Sequence, residues 1–287
     1  MRSEAGLEKE GQCYRSRGDF RRPEGNVPPS VAVVRLRGVP FPNTDYDAVL
    51  AVFSEWLRGV RTPRQVCTVN VHTFVTALRD ERLSEVFRRA ALLTMDGQPI
   101  RWYANLVHRA GVRETVAGPE LMLRCLDKGR AFGWRHYLLG GRPEVLVALQ
   151  KRAEALCPGV LIVGSEAPPF RSLTVEEESG IVERINAAQA DFLWVGLGAP
   201  KQEFWISRNL HRVRVPVQVG VGAAFDFHSG TIPRAPAWAS RLGMEWMYRA
   251  LHDRRLWHRY LSTNPAFVGM LLNDLVRSRL GRLRDDS

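Results

Sequence analysis

The strongest constraint on the fold is a pattern that recurs along the chain: a short apolar run, a break at glycine, then a stretch with helical spacing. Its clearest copy is the segment from Asp191 to Trp205. Phe192 to Val195 is apolar, Gly196-Leu197-Gly198 interrupts it, and a helix-like stretch opens at Pro200. Further strand-like runs are Val31–Leu36, Gln65–Val69, Ala91–Met95, Tyr137–Leu139, Gly159–Val163 and Val215–Val219. Between them, apolar residues at 49, 50, 53, 56 and 57 predict a helix over 45–58. Helical patterns also occupy 72–79, 82–90, 98–108, 119–130, 143–156 and 174–188, the last opened by Thr174 and Glu177 at capping-box spacing. Strands that alternate with helices build a mostly parallel sheet covered on both faces. The expectation is an α/β protein with a Rossmann-like, mostly parallel sheet flanked by helices.

A chain of 287 residues can bury a substantial core in one large or two small domains. Residues 1–28 mix charge, glycine and proline without periodicity and are expected to form a disordered tail. The α/β core is expected over 29–240. No further strand is expected past about residue 232, and 241–287 reads as a basic, helical C-terminal appendage with nine arginines against five acids. Asn264-Pro265 marks an expected helix break. The stretch after it, Pro265 to Leu280, reads as an amphipathic helix with Phe267, Val268, Leu271, Leu272, Leu275 and Val276 on one side. Such a helix suits an anionic lipid surface; a helix packed on its own domain fits the pattern equally well.

The net charge of +11 narrows the partners, because all but four of the 41 cationic residues are arginine. Arginine's planar fork binds phosphate in a bidentate manner, so nucleic acid, anionic lipid or a phosphorylated small molecule are the classes to weigh. An arginine-rich surface with solvated side chains explains part of the bias. No apolar run is long enough to cross a bilayer, and the first 28 residues lack a signal-peptide core, so a cytoplasmic protein is expected. The four cysteines, Cys13, Cys67, Cys125 and Cys157, form no CxxC, which fits free thiols and argues against a zinc site.

Three strand ends carry polar groups: Thr68-Val69-Asn70, Asp96-Gly97, and the Lys201, Gln202 and Glu203 that follow Gly196–Gly198. In a parallel sheet these tips converge on one edge. Asp96 is a usable general base there, or a helix N-cap. Gly140-Gly141 and Gly196-Leu197-Gly198 are two candidate diphosphate loops, though neither continues as a dinucleotide fingerprint and no Walker A sequence is present. A third glycine-rich exit, Gly220 to Gly230 with Gly222, Phe225 and Asp226, suits a base and ribose, or is a tight structural turn. The stretch Met244–Tyr260 interleaves aromatics with Arg249, Arg254, Arg255 and Arg259, which suits phosphate, nucleic acid or simple solvation. There is no HExxH and no DxD pair, so no metal and no cofactor are expected.

Several of these motifs occur in a fixed order: Thr68-x-Asn70, Asp96-Gly97, Gly118-Pro-Glu-Leu121, Leu138-Leu-Gly-Gly141, Gly196-Leu-Gly-Ala-Pro-Lys-Gln-Glu203 with Trp205, Gly220-Val-Gly-Ala-Ala-Phe-Asp226 with Gly230, Arg234-Ala-Pro236 with Trp238, and Gly243-Met-Glu-Trp246 with Arg249. This ordered set, spanning about residues 40–268, resembles the WecG/TagA/CpsF glycosyltransferases (glycosyltransferase family 26). The resemblance implies an inverting, metal-independent transfer of a sugar from a UDP-sugar to a polyprenyl-diphosphate-linked acceptor at the inner leaflet. The sugar would be N-acetylmannosamine or another hexose, in cell-envelope or exopolysaccharide synthesis. It implies Asp96 as the general base, Thr68 and Asn70 as sugar contacts, and Gln202 as a donor contact. The glycine loops with Lys201, Glu203, Phe225, Asp226 and Arg234 would complete the donor site. Arg249, Arg254, Arg255 and Arg259 would engage the acceptor diphosphate or the membrane, and a homo-oligomer is among the implied partners. Thr115 departs from the family's arginine, with Arg113 nearby, and Glu120 stands where Asp is commoner; both bear on the donor sugar. The rival class is a nucleic-acid-binding module resting on the basic C-terminal helices.

Overall fold

The computed structural model describes residues 31–232 and 256–280, with Met247 by itself between them. The expected tail at 1–28, and Arg234, Arg249, Arg254 and Arg255 of the expected site, lie outside the described residues.

The chain starts with a hairpin, β1 (Val33–Leu36) and β2 (Val39–Pro42), paired antiparallel. Sequence patterning located the first strand and missed the second. The turn between them puts both Arg37 and Gly38 at positive φ, 48° and 83°, which suits a tight hairpin; Pro40 and Pro42 disguise β2, although a proline is tolerated at a sheet edge.

From there strand and helix alternate: α1 (Tyr46–Arg58), β3 (Arg64–Val69), α2 (Val71–Ala77), α3 (Glu81–Arg89), β4 (Leu92–Met95), α4 (Gln98–His108) and α5 (Gly118–Gly129). A 3-10 turn then leads to β5 (Arg135–Gly140), α6 (Pro143–Leu156), β6 (Leu161–Glu166), α7 (Val175–Ala187), β7 (Phe192–Gly196), α8 (Lys201–Asn209), β8 (Val217–Gly220) and α9 (Ala224–Ser229). Six strands form one sheet in the order β4-β3-β8-β7-β5-β6. Every pairing is parallel. All six strands therefore end on the same edge, as the sequence required. β6 runs three residues further than its apolar core, Gly159 to Val163, indicates, and α9 occupies the glycine-rich segment where a tight turn was the simpler expectation.

The central strands are buried on both faces, and Phe192 and Trp194 stack at 5.5 Å with His136 alongside. His136 is fully buried and accepts a hydrogen bond from Trp194 Nε1 at 3.1 Å. Burial holds its pKa down at about 3, so the imidazole is neutral in the fold. Arg61 and the Arg135 amide both donate to Asp191, pinning the start of β7.

The last described helix, α10 (Leu256–Arg279), is continuous, with Pro265 inside it. The expected break at Asn264-Pro265 is therefore absent. Proline removes one helical donor and crowds the carbonyl four residues back. Two side chains add hydrogen bonds along this stretch: Arg79 Nη2 donates to the Ser262 carbonyl at 3.3 Å, and Thr263 Oγ1 donates to the Arg259 carbonyl at 2.8 Å. Tertiary packing on either side holds the helix through the proline. Tyr260 and Phe267 are buried, and Phe267 meets Phe74 and Tyr103 edge-on at 6.2 and 5.8 Å. Asp274, also buried, accepts from Arg37 Nε and Nη2 at 2.8 and 2.9 Å and from the Tyr103 hydroxyl. The apolar side read from the sequence splits in two. Phe267, Leu271 and Leu275 pack on the core, whereas Val268, Leu272 and Val276 are exposed. Adjacent helical residues lie about 100° apart, so one apolar set faces inward and the other outward.

Candidate active site

A large cleft, with a volume of about 1670 Å³, lies along the C-terminal edge of the sheet. It is lined by the residues that follow each strand end: Asn70 after β3, Asp96 and Gly97 after β4, Gly141 and Arg142 after β5, Gly196–Gly198 after β7, and Val221 and Gly222 after β8. The loop Pro168–Leu173 after β6 closes one end, and α10 forms a wall with Arg259, Tyr260, Asn264, Phe267, Val268 and Leu271. Of the expected residues, Thr68, Asn70, Asp96, Gly141, Gly196, Gly198, Lys201, Gln202, Gly222, Asp226 and Arg259 all reach it.

Asp96 follows β4 and holds the sheet edge through its amide, which donates to the Val69 carbonyl at 2.9 Å. The N-cap of α4 is Gly97, with φ of 101° and no side-chain cap bond. The alternative in which the Asp96 carboxylate serves as the N-cap of this helix is thereby replaced: the glycine takes the cap position and leaves Asp96 lining the cleft. Asn70 does cap, in a reciprocal box with Thr73 over α2. Thr68 is buried, and its hydroxyl donates to the Gly220 carbonyl at 2.9 Å, tying β3 to the exit of β8.

The Gln202 amide is likewise committed within the protein. Its Oε1 accepts from the Gly222 amide at 3.0 Å and its Nε2 donates to Glu203 Oε1 at 2.9 Å. These partners fix the direction of the amide, because a backbone N–H can only donate. Glu203 lies beneath the cleft rather than on it, 1 % exposed, and burial raises its pKa. Its own carbonyl accepts from Gln65 Nε2 at 2.9 Å. Gln202 and Glu203 together thus brace the turn after β8.

The glycines fall into two kinds. A Cβ on Gly140 would sit 2.6 Å from the Gly196 backbone, and one on Gly196 would sit 2.8 Å from the Phe225 ring. Phe225 is buried and plugs this junction, so Gly140, Gly196 and Phe225 serve close packing. Gly198 and Gly222 are different: both have positive φ, 79° and 56°, with open space where a side chain would point. They present backbone to the cleft.

Helix starts divide in a similar way, with α2, capped by Asn70 at the cleft, as an exception. α1, α3 and α7 are capped by the side chains of Asp45, Asp80 and Thr174, none of which lines the cleft. α4, α5, α6 and α8 open at the cleft with no side-chain cap bond. Their N–H groups and dipoles favour a bound anion. Cationic side chains stand beside them: Lys201, Arg142, Arg171 and Arg208 all line the cleft. Arg171 is held on Glu177 at 2.6 and 2.7 Å, and Arg208 on Glu178 at 2.6 Å.

Sequence reasoning did not single out Arg142, Arg171 or Arg208, nor His72, Gln98 and Asn264. Arg142 directly follows Gly141, and Gln98 and His72 each lie two residues past a motif residue, so position after a strand end was the available signal. Arg208 and Asn264 reach the cleft only through tertiary packing. Arg113, the nearby arginine considered beside Thr115, is exposed and off the cleft, its carbonyl accepting from Arg101 Nη1 at 2.6 Å. Among the described residues no cluster of three or more His, Cys, Asp or Glu side chains is arranged to hold a metal, and no helix is long and apolar enough to cross a membrane.

Three bacterial relatives carry the name N-acetylglucosaminyldiphosphoundecaprenol N-acetyl-beta-D-mannosaminyltransferase. The Bacillus spizizenii protein is 28% identical over 225 residues, covering 77% of this chain and 85% of its own length. The Bacillus subtilis protein is 24% identical, covering 83% of this chain and 91% of its own length. The Staphylococcus aureus protein is 29% identical over 247 residues, covering 83% and 92% respectively. The family model described as "Glycosyl transferase WecG/TagA/CpsF family" matches residues 34–281, from the first hairpin to just past α10, and the chain therefore belongs to this family of glycosyltransferases.

Proposed function

We propose that this glycosyltransferase moves N-acetylmannosamine or another hexose from a UDP-sugar to a sugar carried on a polyprenyl diphosphate, with inversion and without a metal, in cell-envelope or exopolysaccharide synthesis. The observation that carries the reading is the layout of one cleft. Asp96 lines it at the β4 end, and the uncapped starts of α6 and α8 with Lys201 and Arg142 line it at the β5 and β7 ends. A base and an anion site on a shared cleft are what a single displacement at an anomeric carbon needs. The names of the relatives support the lipid-linked acceptor.

In this mechanism the Asp96 carboxylate takes the proton of the acceptor hydroxyl. The hydroxyl oxygen forms its bond to the anomeric carbon as the bond to the UDP oxygen breaks, so configuration inverts. The electron pair leaves on the diphosphate, where helix N–H groups and the cations stabilise the developing charge. Thr68, Gln202 and Glu203 shape the turn after β8, while Gly198 and Gly222 offer backbone to the donor. Asn70 and Asp226 contact the ligands from either side.

The outward stripe of α10 supports action at a membrane surface on the cytoplasmic side. Leu261, Leu272 and Val276 are 56–64% exposed, with Arg277 and Arg279 close by on the helix. Apolar side chains flanked by arginine suit an anionic bilayer face.

The test offers UDP-N-acetylmannosamine and a panel of UDP-hexoses to the protein with a short prenyl-diphosphate N-acetylglucosamine acceptor, with and without chelator. Product and UDP are expected from at least one donor, at a rate unchanged by chelator. Transfer from none of them, beside tight and salt-dependent binding of nucleic acid, would sink the reading. Chelator inhibition reversed by magnesium or manganese would overturn its metal-free part alone.

A further inference from the structure

Three neutral polar side chains lie on the cleft wall, one of them at the uncapped start of α4. His72 belongs to α2, Gln98 opens α4, and Asn264 belongs to α10; all three line the cleft. His72 stands two residues from Asn70, and Gln98 two residues from Asp96, so the group borders the proposed base. Each carries a buried atom without a hydrogen-bond partner among the described residues: His72 Nδ1, Gln98 Oε1 and Asn264 Nδ2. Buried polar atoms are usually paired, and each unpaired one costs stability. Three orphans drawn from three elements, all beside one cleft, mark a surface that gains its partners from a ligand.

The chemistry of the set selects the ligand. The amides are neutral, and burial, aided by nearby Arg259, keeps the pKa of His72 at about 3, so the imidazole is neutral too. A diphosphate calls for cations and helix N–H groups; Arg259 and the uncapped start of α4 stand beside the set and suit the diphosphate that carries such a sugar. A mixed set of neutral donors and acceptors matches sugar hydroxyls and an N-acetyl amide, each able to give and take hydrogen bonds.

We propose that His72, Gln98 and Asn264 form the subsite that holds the sugar of the lipid-linked acceptor and directs its hydroxyl to Asp96. The assignment rests on the transferase reading above. It makes α10 part of the acceptor site through Asn264, because α2 and α4 alone supply only two of the three groups.

The test uses the full chain with Asn264→Ala and Gln98→Leu, and reads KM for the short prenyl-diphosphate N-acetylglucosamine acceptor, KM for the UDP-sugar, and the Kd for UDP. Loss of one neutral hydrogen bond in a desolvated site is expected to raise the acceptor KM roughly tenfold. The donor KM and the UDP Kd should stay within about twofold. An unchanged acceptor KM, or a donor KM that rises in parallel, overturns the subsite. Hydrogen exchange on the unmodified protein covers a variant that fails to fold. The acceptor analogue should protect residues 71–76, 98–102 and 259–265, and UDP alone should not; no added protection there overturns the proposal as well. A wild-type protein that transfers no sugar, in contrast, overturns the transferase reading itself.

Discussion

Replacing Phe267 by alanine tests whether α10 is a docked part of the core or an appendage held at its ends. Phe267 is 3% exposed and makes two edge-on ring contacts, with Phe74 and Tyr103. Truncating a buried phenylalanine costs about 3–5 kcal/mol, of which each ring pair contributes about 0.5–1.5 kcal/mol beyond the buried area. The remaining anchors include the Asp274 contacts with Arg37 and Tyr103, the Ser278 hydroxyl on the Val107 carbonyl at 2.9 Å, and the packing of Leu271 and Leu275. Arg37 is partly exposed, so solvent screens its pair with Asp274 and that pair cannot replace the lost ring. The cost therefore falls on docking of α10, and its open population should rise by roughly 10² to 10⁴. Native-state hydrogen exchange measures this directly. Protection should fall over 256–280 and change little in β3 and β8. Equal losses in α10 and the sheet would show that α10 opens only with global unfolding, and unchanged protection in α10 would show that Phe267 does not hold it; either result refutes the argument.

Other substitutions address the chemistry and the sheet. Asp96→Asn removes the proton acceptor and keeps the shape, so turnover should drop by roughly 10²–10⁴ with UDP binding within about twofold; unaltered turnover removes Asp96 as the base. His136 is neutral in the fold, with a pKa of about 3 against the ordinary 6.5. Its contribution to stability is full above 6.5 and is lost as pH falls toward 3, because the unfolded chain binds the proton first. Urea midpoints should thus fall more steeply between pH 7 and 4 in the wild type than in His136→Gln, and equal slopes would contradict the assignment. Gly140→Ala should lower the melting temperature more than Gly198→Ala, since a Cβ at 140 meets the Gly196 backbone at 2.6 Å and one at 198 meets nothing within 4 Å. Equal losses would mean that only the positive φ matters at both positions.

Periodicity made the sheet legible because parallel strands, buried on both faces, leave apolar runs that end at glycine. The positions next to those ends, Asn70, Asp96, Gly141 and Gly222, were legible for the same reason. What stayed hidden depends on direction and on contacts between distant elements. Pro265 reads as a helix break in any local account, yet α10 continues through it because Phe267 and Tyr260 are buried on either side. The apolar residues of α10 read as one face, although adjacent residues such as Leu271 and Leu272 lie about 100° apart and only the first packs on the core.

Gln202 and Glu203 show the limit most clearly, and they bear on how the site works. Both follow the candidate diphosphate loop, where the sequence reads Gln202 as a donor contact and Glu203 as a donor-site residue or a brace for the turn. In the fold, Gln202 spends its carbonyl oxygen on the Gly222 amide, and Glu203 receives the Gln202 amide from below. Loss of the Glu203 carboxyl would free the Gln202 side chain to flip. A flipped amide would set an N–H against the Gly222 N–H, a repulsive pair that would displace the turn. In the proposed donor site Glu203 would thus act through two intermediaries, by holding the Gly222 backbone in place. A residue of this kind sits inside a functional motif without touching the ligand, and only the direction of each hydrogen bond along the chain Glu203–Gln202–Gly222 distinguishes it from one that does.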